Sequence, residues 1–280
     1  MENIKREEEL LGVAERDLKA TKVLYEKKLY PQAIFYFQQS VEKANKSFGL
    51  MLNIISEKDL LKISHNPTKI HVKDLCEQKK ENREFNKTLE NYPKLKKIKL
   101  LKNNDSKMLE TNLNKSIEFW KNSIKSKKAI NFSYADLKNI IIEIKNMKKM
   151  KKVIVKKEDW INIKKDINEL FDVLSEYNAD KDKLESERRK LNNFDFKPTK
   201  ITILEPFFEF ISLYYTIIFL SAVTMHHSNC TRYPVDNKIP RKLYTKKLFI
   251  VKYLPDLIKL QYDSIKGIKR YNELMKLKNK

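Results

Sequence analysis

The chain has 280 residues, of which 59 are Lys or Arg and 37 are Asp or Glu, giving a formal net charge of +22. This length is enough to bury a hydrophobic core, and a hydrophobic content of 41% argues against wholesale disorder. Only three residues are glycine. A turn-rich β-sandwich, a Rossmann fingerprint and a Walker loop are therefore excluded, because each depends on glycines that this chain lacks.

The excess of positive charge leaves two interpretations open. A net charge of +22 is typical of a protein that binds nucleic acid. Only eight of the basic residues are Arg, however, although the planar guanidinium of Arg matches phosphate better than the ammonium of Lys. The lysines are equally typical of an AT-rich genome or of growth at high temperature.

The cysteines and the apolar stretches indicate a cytoplasmic protein. Cys76 and Cys230 are far apart and form no C-x-x-C pattern, which suits a reducing compartment better than a disulfide scaffold. We expect no metal site and no cofactor. The N-terminus lacks the apolar run of a signal peptide. The most apolar stretch, Phe210–Met225, is shorter than the roughly 20 residues of a membrane span, so we expect a buried core helix and no membrane association.

Helical periodicity begins near the N-terminus. Residues 4–28 predict an amphipathic helix, and Pro31 fits the first turn of a second helix antiparallel to it. The second helix has an apolar face with three-four spacing: Ile34, Phe37, Val41, Ala44 and Phe48. Asn66 and Pro67 are typical of the N-cap and first residue of another helix.

The middle of the chain differs in composition from both ends. Residues 82–200 are dense in lysine but keep helical spacing, so we interpret them as an inserted helical segment between a first part, 1–81, and a last part, 201–280. The last part predicts a helix from Pro206 to about residue 226 and another from about 244 to 276, kinked at Pro255. The whole chain is predicted to be an all-α, up-and-down helical bundle with a lysine-rich insertion.

Three short motifs carry the functional signal. They are Tyr36-Phe-Gln-Gln-Ser-Val-Glu-Lys-Ala44, Ser64-His-Asn-Pro-Thr-Lys-Ile70 and His227-Ser-Asn-Cys-Thr-Arg-Tyr-Pro234. Together they resemble the HEPN family (higher eukaryotes and prokaryotes nucleotide-binding), over residues 10–75 and 205–265. The resemblance implies a helical bundle, often a homodimer, that is either a metal-independent RNA-cleaving toxin of a defence system or a non-catalytic module that binds RNA or a nucleotide.

The resemblance does not decide whether the chain is an enzyme. Ribonuclease members of the family carry an R-x(4–6)-H motif on a late helix, and no Arg of this chain is followed by His at that spacing. The order here is reversed, from His227 to Arg232. A cognate protein partner is also expected from the toxin interpretation.

Cutting RNA without a metal requires a base, an acid and a cation on the phosphate. We expect His65 and His227 to meet Arg232 in one pocket, with His227 as the general base, because a neutral imidazole accepts a proton near neutral pH. Arg232, Lys69 and Asn66 are the predicted phosphate-binding residues. The predicted supporting residues are Gln39, Glu42, His226 and Tyr233.

A structural interpretation of the same residues stays open. His65 can order the loop before Pro67, and His227 ends a buried helix, where the helix dipole favours a cation. Arg232 can bridge to helix-end carbonyls or to Glu42. The rival function is accordingly a non-catalytic, helical protein-interaction module whose lysines only reflect composition.

Overall fold

The computed structural model describes residues 5–98, 106–126, 134–149, 157–177, 180–194, 204–225, 227–234 and 239–278. Within these ranges every regular element is a helix and no strand occurs. The prediction of an all-α fold is confirmed.

The helices are numbered in chain order. In the N-terminal half they are α1 (Arg6–Glu26), α2 (Tyr30–Met51), α3 (Asp59–Ile63), α4 (Thr68–Asn91), α5 (Ser106–Ser126) and α6 (Tyr134–Lys149). A 3-10 helix, Leu95–Lys97, follows α4. In the C-terminal half they are α7 (Lys157–Glu176), α8 (Lys181–Asn193), α9 (Leu204–Thr224), α10 (His227–Cys230), α11 (Pro240–Leu243), α12 (Phe249–Lys252) and α13 (Leu254–Lys278).

The chain divides into two compact units. Unit 1 consists of Met1–Leu75, Ile117–Lys149 and Phe207–Lys280, and unit 2 consists of Cys76–Ser116 and Met150–Pro206. Unit 1 thus includes residues 117–149 from within the predicted insertion. The predicted division into 1–81, 82–200 and 201–280 stays a prediction.

In unit 1, α1 and α2 form the expected antiparallel pair. The three-residue turn between them is closed by Lys28, whose φ of 61° lies in the left-handed region. Lys43 on α2 forms an ion pair of 2.8 Å with Asp17 on α1, and Ser47, one turn later on α2, donates a hydrogen bond to the carbonyl of Glu7, nearer the start of α1. The two helices therefore run in opposite directions.

The last helix completes the bundle. Lys269 on α13 pairs with Glu15 on α1 at 2.8 Å, and Lys276, further along α13, pairs with Glu8, earlier on α1. Arg270 pairs with Glu209 on α9 at 3.0 Å. Helix α13 is thus antiparallel to α1 and joins α9 to the pair, as an up-and-down bundle requires.

The core of unit 1 confirms the predicted inward face of α2, because Ile34, Phe37, Val41, Ala44 and Phe48 are all buried. They pack against apolar residues of the other long helices. These are Leu11, Ala14 and Leu18 on α1, Leu213, Ile217 and Leu220 on α9, and Leu257, Leu260, Ile265 and Ile268 on α13.

Helix α9 is the most apolar element of the described residues. Its window Phe207–Thr224 has a mean hydropathy of 1.6, so by length and composition alone this helix is able to cross a membrane. In the structure 56% of that window is buried, and Leu213, Ile217 and Leu220 lie in the core. The core helix of a soluble protein has the same properties.

The predicted final helix, 244–276 with a kink at Pro255, is wrong. Between residues 244 and 253 the chain instead forms the short helix α12, and α13 begins at Leu254. Pro255 is therefore in the first helical turn, where its missing N–H breaks no hydrogen bond and no kink results.

Unit 2 has a smaller apolar cluster. Leu89, Leu95 and Ile98 are buried against Leu170 and Val173 of α7. Helices α7 and α8 are joined by polar contacts, including an ion pair of 2.6 Å between Arg188 and Asp172.

Two glycines provide a matched test of this packing. A Cβ atom at Gly49 would lie 3.0 Å from Cγ2 of Ile70 and 3.2 Å from Cδ1 of Ile55, whereas at Gly12 it would meet nothing within 4 Å. We expect Gly49→Ala to lower the free energy of unfolding by about 1 kcal/mol, because overpacking outweighs the gain in helix propensity. Gly12→Ala should raise it by about 0.5–1 kcal/mol. Urea denaturation measures both, and equal shifts would contradict the close approach at Gly49.

Candidate functional site

The candidate site is built on one face of α2. Phe35, Gln38, Gln39, Glu42 and Lys46 recur at intervals of three and four residues, so they lie along the same side of the helix. This face borders the apolar face of α2. Two of its polar residues are buried: Gln38 is 2% exposed and Glu42 is 4% exposed. Buried polar groups of this kind require partners.

Glu42 has a partner on each carboxylate oxygen. Its Oε1 accepts from Nζ of Lys46 at 2.7 Å, and its Oε2 lies 3.2 Å from Nδ1 of His65. Gln38 donates from Nε2 to the same Oε2 at 3.4 Å. The buried negative charge is thus compensated by one permanent cation and by two hydrogen bonds.

The bond to Glu42 sets the tautomer of His65. An ionised carboxylate only accepts hydrogen bonds, so Nδ1 must carry the proton, and in a neutral imidazole Nε2 is then the acceptor. The His65 side chain is 62% exposed. The ring is therefore held on one edge by Glu42 while much of its surface is open to solvent.

A chain of amide contacts extends from this ring to α1. Gln38 donates from Nε2 to the backbone carbonyl of His65 at 3.3 Å, and Gln39 donates to Oε1 of Gln38 at 2.7 Å. Lys43 donates to Oε1 of Gln39 at 3.0 Å and to Asp17 at 2.8 Å. Gln39 therefore acts on His65 through Gln38, which the sequence analysis did not assign to the site.

The backbone next to His65 is strained. Ser64 has φ 52° and ψ −130°, a conformation that residues with a Cβ rarely adopt. Such strain costs about 1–3 kcal/mol and is concentrated at functional sites. It turns the chain between α3 and α4 so that His65 meets the α2 face.

The start of α4 follows directly. The helix begins at Thr68, one residue later than predicted, and Oδ1 of Asn66 accepts from the Thr68 N–H at 3.1 Å. Nζ of Lys69 donates to the carbonyl of Lys62 at 2.8 Å. Phosphate binding by Asn66 and Lys69 stays a prediction.

His227 follows α9 closely in the sequence. Thr68 Oγ1 is 3.5 Å from Sδ of Met225, so the start of α4 contacts the end of α9. This contact is within three residues of His65 on one side and of His227 on the other. His227 is 7% exposed, and its Nδ1 lies 2.7 Å from Oη of Tyr244. Burial raises the pKa of Tyr244, so this hydroxyl stays protonated. Tyr244 was missed in the sequence analysis, and His226 lies outside the described residues.

Arg232 reaches the α2 face from the turn after α10. Its Cζ lies 5.2 Å from the ring centroid of Phe35 and 5.4 Å from that of Tyr233, which is 59% exposed. Phe35 and Glu42 are two helical turns apart, a rise of about 10 Å along the axis of α2. Arg232 and His65 are therefore attached to one face of α2. Convergence of His65, His227 and Arg232 in one pocket stays a prediction.

His71 belongs to a separate cluster. Its Nδ1 lies 3.1 Å from Oη of Tyr214, which also donates to Asp74, and its ring contacts Trp120 edge-on with centroids 5.5 Å apart. Burial lowers the pKa of His71 from its ordinary 6.5 to about 4. A histidine that stays neutral and enclosed by aromatic rings stabilises packing.

Metal chemistry receives no support from side-chain geometry. Within the part of the chain that the structure describes, no group of three His, Cys, Asp or Glu side chains is close enough to hold a metal ion.

Comparison with known proteins gives one finding. The model of the HEPN domain matches residues 7–125, which contain α1 to α4 and nearly all of α5. The match covers two of the three motifs, including His65 and Glu42, and it extends into the predicted insertion. No curated protein and no solved structure matches the chain.

The lowered pKa of His71 predicts how stability depends on pH. The folded protein protonates His71 less readily than the unfolded chain does. The contribution of the neutral His71 to the free energy of unfolding is therefore complete above about pH 6.5 and is lost as the pH falls towards 4. The loss is about 3 kcal/mol at most. Urea denaturation of wild type and His71→Gln between these pH values measures it. The difference between the two curves should change with pH, and parallel curves would contradict the assignment.

Proposed function

Since the chain contains a HEPN domain over residues 7–125, we propose that it binds RNA along the face of α2 that joins His65 to Arg232. One observation carries the proposal. An exposed imidazole, held by the buried carboxylate of Glu42, shares this face with an exposed guanidinium about two helical turns away. A histidine edge and an arginine fork are both suited to the oxygens of a phosphate.

The charge of the chain supports a polyanionic ligand. With a net charge of +22, long-range attraction raises the rate at which RNA meets the protein and supplies much of the binding free energy. The aromatic rings next to Arg232 add a second feature of single-strand binding, because Tyr233 is 59% exposed and presents a ring on which a base can stack.

RNA fits this face better than a mononucleotide does. The residues that the two groups contact on α2, Phe35 and Glu42, are about 10 Å apart along the helix axis, so a strand of RNA spans both groups more readily than a mononucleotide does. The chain also lacks the glycine-rich loop with which nucleotide-binding proteins commonly enclose phosphates.

The bond between His65 and Glu42 favours a second function on the same face, namely cleavage of the bound RNA. With Nδ1 donating to Glu42, Nε2 of His65 is able to take the proton of a ribose 2′-hydroxyl. The 2′-oxygen then attacks phosphorus, the bond to the 5′-oxygen breaks, and a cyclic 2′,3′-phosphate forms. Glu42 stabilises the imidazolium, and Arg232 stabilises the charge on the phosphate.

A proton must also reach the leaving 5′-oxygen, and solvent water supplies it at this exposed face while the His65 imidazolium returns its proton to solvent. The sequence analysis names His227 as the general base, but it is 7% exposed and bonded to Tyr244, whereas the His65 side chain is 62% exposed. We therefore assign the general base to His65 rather than to His227. A homodimer, a cognate protein partner and a role in defence remain part of the proposal and rest on the family, whereas the proposed cytoplasmic location rests on the cysteine pattern and the apolar stretches of the sequence.

Binding is tested with Arg232→Ala and a fluorescent single-stranded RNA. Loss of a charge-assisted contact worth about 1.5–3 kcal/mol should weaken binding at least tenfold. Arg189→Ala is the matched control, because Arg189 is also exposed but lies on α8 beside Glu185. Wild-type affinity should fall steeply as salt rises. Absence of RNA binding by the wild type, or equal affinities of wild type and Arg232→Ala, would favour the protein-interaction module.

Cleavage is tested by incubating labelled RNA with the protein in EDTA. We expect products ending in a cyclic phosphate, and a loss of rate of about 10²–10⁴ in His65→Ala, the range typical of a general base. His71→Gln is the control, because His71 belongs to the separate aromatic cluster. Equal cleavage by wild type and His65→Ala, or none by either, would end the catalytic proposal and leave the binding proposal intact.

A further inference from the structure

The segment Ile239–Tyr253, named here the basic segment, carries only positive charge. It contains no Asp or Glu but has five basic residues. All five are exposed: Arg241, Lys242, Lys246, Lys247 and Lys252. On α8, by contrast, lysines alternate with carboxylates: Lys181 and Lys183 flank Asp182 and are followed by Glu185.

The fold directs these cations outward. Tyr244, Ile250 and Val251 are each at most 2% exposed, and they belong to the same core cluster as the apolar face of α2. The hydrogen bond between Tyr244 and His227 anchors the segment further. With its apolar residues fixed inside, the basic segment presents its charged residues to solvent.

Four of these five cations have no acidic partner: among the described residues, no carboxylate forms an ion pair with Arg241, Lys242, Lys246 or Lys247. Like charges held this close repel one another and attract a polyanion.

The basic segment also lies beside the helix that carries the candidate site. Helices α10, α11 and α12 each pack against α2. Arg232, which contacts Phe35 on α2, precedes the segment by a few residues of the chain. A strand bound between His65 and Arg232 would therefore have cationic surface next to it.

We propose that the basic segment binds the phosphates of single-stranded RNA that flank those bound by His65 and Arg232. The inference rests on the proposed function and extends it, because it assigns part of the affinity for a long strand to residues outside the α2 face. A membrane surface is the less suitable partner. Insertion into lipid requires an apolar helical face, and the apolar side chains of α11 and α12 are engaged in the core.

The test compares Lys246→Gln/Lys247→Gln with the wild type in RNA-binding titrations at increasing salt. Each lost phosphate contact should reduce the slope of log K against log salt by about 0.7, so the double variant should lose about 1.4 from the slope and bind several-fold more weakly at low salt. Lys181→Gln/Lys183→Gln is the control with the same change in net charge. Lys246→Arg/Lys247→Arg should keep the wild-type slope.

The outcomes separate the inference from the proposed function. If Arg232→Ala weakens binding but Lys246→Gln/Lys247→Gln does not change the slope, the inference fails and the proposed function stands. Equal losses in the α8 control would also overturn the inference, because net charge alone would explain them. If the wild type binds phosphatidylserine vesicles through Lys246 and Lys247 but binds no RNA, both fail. All variants should keep the wild-type circular dichroism spectrum, because the altered residues are exposed.

Discussion

The carboxylate of Glu42 is the constraint on which the site depends. It is a buried charge on a core helix, so it is tolerated only because Lys46 and His65 lie against its two oxygens and Gln38 adds a hydrogen bond. Removing one partner would leave a buried charge uncompensated. The contact between Glu42 and His65 therefore does more than compensate the buried charge. It also holds the loop before α4 and fixes the orientation of an exposed imidazole.

The bundle brings distant parts of the sequence to this carboxylate. Helices α1, α2, α9 and α13 bury a common apolar core, and the contact between Thr68 and Met225 joins the start of α4 to the end of α9. The turn after α10 then carries Arg232 to Phe35. A rigid scaffold of packed helices thus positions functional side chains that belong to the connections between helices, where strain at Ser64 is also found.

The sequence predicts the helical elements and the apolar face of α2 well, because both follow from local spacing. The spacing in the sequence also indicates the ion pair of Glu42 with Lys46, because these residues are one helical turn apart. The contact between His65 and Glu42 spans 23 residues and that between His227 and Tyr244 spans 17, so no helical periodicity indicates either. The predicted final helix begins too early, because the apolar residues of α12 continue a helix-like spacing through a segment that instead folds as a separate short helix.

The central claim is that Glu42 holds His65 with Nδ1 protonated and leaves Nε2 to meet RNA. Long-range ¹H–¹⁵N NMR of the histidine side chains measures this directly, with His65→Gln used to assign the resonance. At neutral pH the account predicts an Nδ1–H tautomer that becomes Nε2–H or mixed in Glu42→Gln, and an Nε2 resonance that shifts when single-stranded RNA is added. An Nε2–H tautomer in the wild type, or a His65 resonance that does not respond to RNA, would contradict it.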